Sequence, residues 1–215
     1  MRFRKDGEIT RQRILKVAAG LFAEKGYRGT THAQIIRLAK VNAAAINYHF
    51  RDKETLYAEA WRTSFEELLQ KHPADGGVSS LSSPEERLRG MIFSILSRFS
   101  DPDNMVFEII NKEHANPTGI LGDTIKKSLR PIRDGIEYIV RELLGGKASE
   151  RDVQLCRMSI MSQCFRKRRG LAGARGAYDS LIEKMSIDDL ADHITRFSID
   201  GIIGIRKRLE CGRHH

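Results

Sequence analysis

Apolar residues recur along this chain at spacings of three and four, and runs at spacing two are scarce. Ile14, Leu15, Ala18, Ala19, Leu21 and Phe22 form one stripe, predicting a helix over 9–26 that follows Thr10 and closes at Gly26. The same periodicity, read with its punctuation, predicts further helices over 31–39, 43–50, 53–71, 84–99, 102–115, 117–144, 150–168 and 187–209. Nine helices and no strand make the expected fold all-α. Start signals are dense. Thr31 with Gln34 reads as a capping box opening a short helix with Ile35, Leu38 and Ala39 inward. Asp52 caps the next long helix, which turns Leu56, Ala60 and Leu68 inward. Ser83-Pro84-Glu85-Glu86 sets a cap, an N1 proline and an N3 glutamate in register. Asp101-Pro102 and Asn116-Pro117 repeat the cap-proline signal, and Ser149 with Asp152 and Ser186 with Asp189 give two more caps. Pro131 should kink the seventh helix. Between Lys71 and Ser83 the stretch "KHPADGGVSSLSS" reads as a loop.

Composition changes this picture little; charge changes it more. The chain has 215 residues, 40% hydrophobic and 30% charged, the balance of a globular protein. No apolar run reaches membrane-span length. The charged start, Met1-Arg-Phe-Arg-Lys-Asp, argues against an export signal. Three cysteines without metal-ligand spacing fit a reduced, cytoplasmic setting. Net charge is +9, and residues 1–60 carry 12 Lys/Arg against 6 Asp/Glu, two thirds of the surplus. That clustering is an electrostatic footprint for a polyanion.

Two short helices, 31–39 and 43–50, joined by a turn of three or four residues, have the form of a helix-turn-helix. In such a unit the second helix enters the DNA major groove with its N-terminal residues nearest the bases. Its composition fits. Ala43, Ala44 and Ala45 let the backbone approach base edges, and Asn42 and Asn47 can hydrogen-bond bases or phosphates. Ile46 and Phe50 face inward. Tyr48, His49 and Lys53 would reach phosphates beside the groove, and Thr31 would meet another at the start of its helix.

The segment "RILKVAAGLFAEKGYRGTTHAQIIRLAKVNAAAINYHFRDKETLY" closely resembles the DNA-binding domain of the TetR family of transcriptional regulators. Shared landmarks are "LFAEKGY", Thr30-Thr31, Val41, Tyr48-His49-Phe50, Lys53, Leu56 and Tyr57. The resemblance implies that Thr31, Asn42 to Ala45, Asn47, Tyr48, His49 and Lys53 contact DNA. One departure stands in the turn: the family usually carries glycine before Val41, and this chain has Lys40. Residue 40 is therefore expected to be left-handed despite its side chain. Further along, "EHANPTGI" (113–120), "LRPI" (129–132), "ELLGG" (142–146) and "SQCF" (162–165) resemble the CecR-like subgroup. Regulators of that subgroup are commonly associated with genes for drug or toxic-compound export.

Two domains follow from this reading: a helix-turn-helix domain over 1–52, and an effector-binding and dimerisation domain over 53–215. Helix 150–168 bears two apolar stripes, Val153, Cys156, Ile160 and Cys164 on one side and Met158, Met161 and Phe165 on another. A helix apolar on two sides is buried on two sides. With Leu190, Ile194, Phe197, Gly201 and Ile205 of the last helix, Cys156, Ile160 and Cys164 are expected to build a four-helix homodimer interface, as the family resemblance also implies. A monomeric bundle core is the competing reading. Walls for a small-molecule effector are expected from Phe93, Phe107, Ile110, Tyr138 and Phe165, with Glu113, His114, Arg133 and Gln163 orienting it. Glu113 and His114 could equally brace the helix expected at Pro117. The run Arg166-Lys-Arg-Arg169 ends a helix, where cations suit the dipole. No phosphate loop, zinc-protease pattern or nucleophile elbow supports an enzyme, and no cofactor is implied. The expected protein is a repressor released from a palindromic operator by an effector, guarding efflux or detoxification genes. The alternatives are an architectural DNA-binding dimer without effector, or an all-helical enzyme.

Overall fold

In the computed structural model, which describes residues 2–165 and 185–212, every regular element is a helix. They are α1 (Arg2–Gly29), α2 (His32–Ala39), α3 (Ala43–His49), α4 (Lys53–Lys71), α5 (Pro84–Ser100), α6 (Met105–Ala115), α7 (Gly122–Leu144), α8 (Glu150–Cys164) and α9 (Ile187–Glu210). Packing divides the chain into two compact units, Met1–Gln70 with Asp103–Leu129, and Lys71–Pro102 with Arg130–His215. This line does not fall after residue 52. Tyr57 of α4 packs edge-on against Phe22 of α1, with ring centres 4.6 Å apart, so α4 is bound into the first unit.

Within the first unit, α1 packs against α2, α3 and α6. Ile14, Leu15, Ala18, Ala19 and Phe22 are buried as the stripe predicts, with Ile35, Ala39, Ile46, Phe50, Leu56 and Tyr57 beside them in the core. The helix begins well before Thr10, whose hydroxyl donates to the Asp6 carbonyl from inside a turn. It breaks at Gly26, where φ is 72° and ψ 175°, a conformation essentially reserved for glycine. Buried Thr30 sits at this break, its hydroxyl 2.9 Å from the Gly26 carbonyl and 3.1 Å from that of Leu21. Leu38, expected inward, stands 51% exposed.

Five helix starts, at Thr31, Asp52, Ser83, Ser149 and Ser186, fit their signals and two do not. Thr31 and Ser83 make full capping boxes, and so does Ser149. But α6 starts at Met105, capped by the Asn104 side chain, and not at Pro102. Asp101 instead closes α5 and turns its carboxylate, almost fully buried, to Lys71 Nζ and His72 Nε2, both at 2.9 Å. Likewise α7 starts at Gly122 and not at Pro117. The Glu113 carboxylate accepts from the backbone amides of Thr118 and Gly119, at 2.9 and 3.1 Å, and holds 116–121 as a loop. Pro131 lies inside α7 without ending it.

The second unit is built on α5, which packs against α8 and α9. Leu88, Ile92 and Leu96 of α5 are fully buried, in a core with Ile136 and Val140 of α7, Ile160 of α8 and Ile194 of α9. Charged pairs run between its helices: Arg89 reaches Asp192 and Asp188 of α9 at 2.5 and 3.0 Å, and Arg157 of α8 meets Glu137 of α7 at 2.9 Å. The Gly76–Gly90 approach seats the 72–82 loop on α5, since a Cβ on Gly76 would lie 2.2 Å from the Gly90 carbonyl. Among the described residues, no helix is long and apolar enough to cross a membrane.

Candidate nucleic-acid interface

Helix α2 and the turn that leads from it to α3 are held by local chemistry. Thr31 Oγ1 accepts from the Gln34 amide, and Gln34 Oε1 accepts from the Thr31 amide, which fixes the start of α2. At the far end Lys40 takes φ 51° and ψ 51°, the one non-glycine residue at positive φ among those described. The amides of Lys40 and Val41 both turn back to the Ile36 carbonyl, which closes α2. Asn42 then starts α3, its Oδ1 accepting from the Ala45 amide at 2.8 Å. Reversal is complete within three residues.

On that frame α3 is two-sided. Ile46 and Phe50 are buried, at 2% and 1% exposure, and anchor it to the core. Asn42, Ala43, Ala44, Asn47 and Tyr48 are exposed, with Ala45 and His49 half-buried. Tyr48 is 84% exposed and meets the His49 ring edge-on at 5.0 Å. A phenol this exposed, on a helix whose opposite face is clamped, is presented outward rather than packed. Thr31 is exposed too, but its oxygen and amide are already engaged in the capping box, so only the hydroxyl proton remains to donate.

Beyond α3, Asp52 caps α4 by accepting from the Thr55 amide at 2.7 Å, and that bond holds its carboxyl below the usual aspartate range. Lys53 rests its ammonium over the Tyr27 ring, 4.2 Å from the centre. Arg51, which the motif does not single out, has a side chain 92% exposed between α3 and α4. Its signal in the sequence was only the charged break after Phe50. Alanines, amides, an exposed phenol and cations thus fall together between residues 40 and 53, a mixture of the kind that can meet base edges and phosphates.

Comparison with known proteins agrees with this geometry. Residues 14–60 match the family of bacterial regulatory proteins described as the tetR family. Residues 84–202, more than half of the chain, match the C-terminal domain of the HTH-type transcriptional dual regulator CecR. The chain belongs to the TetR family, with a CecR-type C-terminal domain. Among relatives, it is 39% identical over 61 residues to the HTH-type transcriptional regulator AcrR of Shigella flexneri, 28% of each chain. It is 30% identical over 111 residues to the HTH-type transcriptional repressor KstR2 of Mycobacterium tuberculosis, 51% of this chain and 49% of that one. These alignments span half or less of the relatives' length. The fold of AibR, solved with isovaleryl coenzyme A and operator DNA, superposes with a TM-score of 0.64 at 19% identity, covering 86% of this chain and 96% of that one. The families and relatives matched are transcriptional regulators. Burial pushes the Cys164 thiol up to about 12 and raises that of Cys156, which disfavours both thiolates.

The regulator's expected effector residues divide between the two units. In the first, Ile110 is buried and Phe107 half-buried, and His114 is exposed. Glu113 is spent internally, on the Tyr57 hydroxyl, Thr118 and Gly119, so it braces the loop after α6. In the second, Phe93 is half-buried, and Arg133 is exposed and pairs with Asp134 and Glu137. Tyr138 is 65% exposed under the Arg87 guanidinium, Gln163 bonds the Ser159 carbonyl, and Phe165 lies against Phe99. A depression of about 340 Å³ lies elsewhere, along α9, lined by Asp189, Asp192, His193, Arg196, Phe197 and Asp200.

The expected dimer residues also separate. Cys156, Ile160, Cys164, Leu190 and Ile194 are at most 8% exposed within one chain, so they belong to its own core and cannot be the face offered to a partner. Phe197 and Gly201 are exposed and Ile205 half-buried, at four-residue spacing along α9. On α8 the outward stripe is Leu155, Met158 and Phe165. Two stripes on α8 were legible in the sequence; which one faces inward was not. The basic run 166–169 lies outside the described residues.

Proposed function

We propose that this TetR-family regulator is a homodimeric repressor that grips a palindromic operator and is released by a small-molecule effector. The observation that carries the DNA-reading part is α3 itself, a helix clamped by Ile46 and Phe50 and capped by Asn42, with its alanine and asparagine face outward. Ala43, Ala44, Ala45 and Asn47 read bases. Asn42 does so through its amide nitrogen, since its oxygen is held by the cap. Thr31, Tyr48, His49 and Lys53 contact phosphates, and Lys40 and Arg51 add charge at the margins of the site.

Two copies join through the outward stripes of α8 and α9, centred on Met158 and Phe197. The repressor sense is supported by KstR2, and the pairing of operator with effector by AibR, whose structure holds both DNA and isovaleryl coenzyme A. The effector binds within the CecR-type domain, and it need favour the released state by only a few kcal/mol to clear the operator. The likeness to CecR supports control of export or detoxification genes. Selecting bound duplexes from a random pool tests the reading. A palindrome with half-sites about one helical turn or more apart is expected. Enrichment of single, unpaired half-sites would remove the dimer, and no enrichment would remove sequence reading altogether.

A further inference from the structure

The charge of Lys53 is held over a half-buried ring, Tyr27, that packs on the core. The Lys53 side chain is half-buried, and its ammonium sits 4.2 Å from the centre of the Tyr27 ring. Burial lowers its pKa, and no carboxylate contributes to that shift. Tyr27 is itself fixed from behind. Its ring stacks on Phe22 at 6.3 Å and 20°, and tilts against Tyr57 at 5.1 Å and 42°. Tyr57 is fully buried, and its hydroxyl donates to Glu113 Oε2 at 3.2 Å. Each contact lies within the first unit.

A free lysine has four rotatable bonds, and immobilising it on a phosphate costs entropy at the moment of binding. A π face held in place by two rings, one of them anchored in turn by Glu113, removes much of that cost beforehand, while leaving the charge unneutralised. We propose that Tyr27 is a positioning residue for DNA binding, its ring holding the Lys53 ammonium at the start of α4 where it meets a phosphate. The inference rests on the DNA-binding reading above and assigns a role to a residue that does not touch DNA.

Two measurements separate the inference from the reading it rests on. The first needs no DNA: the methylene protons of Lys53 next to the ammonium should show an upfield ring-current shift by NMR in the parent protein and in Tyr27→Phe, lost in Tyr27→Leu. The second is binding of the full-length chain to a mixed-sequence duplex of about 30 base pairs at roughly 50 and 200 mM salt, where each phosphate contact contributes about one unit of salt slope. Tyr27→Leu should bind about three- to tenfold more weakly, an effect of cation–π size. The double variant with Lys53→Ala should bind no more weakly than Lys53→Ala alone. Tyr27→Phe, which keeps the ring, should come within about twofold of the parent. Thermal melts exclude unfolding as the cause, and a Tyr27→Leu protein that fails to fold is replaced in the same assay by Tyr27→Met. If Lys53→Ala is weakened and the ring-deleted variant is not, the inference is overturned and the phosphate contact stands. Tighter binding by Tyr27→Leu would mean that the ring withholds the ammonium, and overturns it too. If Lys53→Ala binds as the parent does, the phosphate contact itself is wrong and the inference goes with it.

Discussion

Tyr48 on α3 and Phe197 on α9 are both rings left outside, at 84% and 65% exposure, yet they sit in opposite company. Tyr48 stands among Asn47, His49 and three alanines, on a seven-residue helix clamped beneath by Ile46 and Phe50. Phe197 is followed at four-residue spacing by Gly201 and Ile205, an apolar row that runs beside the charged depression of Asp189, Asp192, Arg196 and Asp200. A ring set among amides and cations suits a hydrated polyanion, where its hydroxyl keeps a partner. One that continues an apolar row suits a dry partner surface. Exposure alone does not say what a ring meets. Its neighbours do.

The largest effect that can break this comparison is on α8, where the two stripes differ in burial. Ile160→Ala should cost about 2–5 kcal/mol and lower the melting temperature by roughly 5–15 °C, whereas Met158→Ala should fall within about 0.5 kcal/mol in the monomer. Equal melts would erase the distinction between core stripe and outer stripe. Next comes Phe197→Glu. It should leave the melt of a single chain unchanged, but sedimentation should find monomer at concentrations where the parent is dimeric, a shift of at least about tenfold, because a charge on a dry face has no partner. A mutant that stays dimeric would move the interface off this face of α9.

On the DNA side the effects are smaller and differ in kind. Asn42→Ala removes the α3 cap and should cost about 1 kcal/mol of stability, along with altered base preference. Asn47→Ala, exposed on the same helix, should alter preference with no change in melt; loss of stability there would mean that its amide holds the fold. Smallest of all is Lys40→Gly. A left-handed lysine is strained by about 1 kcal/mol, and the entropy glycine adds to the unfolded chain takes back part of the gain. A modest rise in melting temperature is expected, with slightly weaker and less salt-dependent DNA binding. Were the variant to melt lower, the lysine side chain would have to stabilise the turn in some way that outweighs its strain.

How much of this was readable in advance depended on range. Thr31, Ser83, Ser149 and Ser186 were legible as caps because each acts within three residues of itself. Residue 40 was legible for the same reason, since a chain that must reverse between α2 and Val41 leaves few backbone options. Asp101 and Asn116 carried the same cap-proline signal and misled. The Asp101 carboxylate was taken by Lys71 and His72, some thirty residues away in sequence. The amides after Asn116 were taken by Glu113, already committed to Tyr57 across the unit. Leu38 misled in the other direction, an apolar residue at helical spacing left half outside.

By itself, then, the sequence determined the all-α class, the helix-turn-helix and its outward alanine–asparagine face, because periodicity, capping and turn chemistry are settled over a few residues of chain. Tertiary structure alone decided which stripe of α8 became core, that Glu113 joins Tyr57 to the loop after α6, and that Tyr27 carries Lys53. Each of those depends on which distant group arrives first at a buried polar or apolar surface. A buried carboxylate, ring or thiol has one set of neighbours, and no local pattern names them.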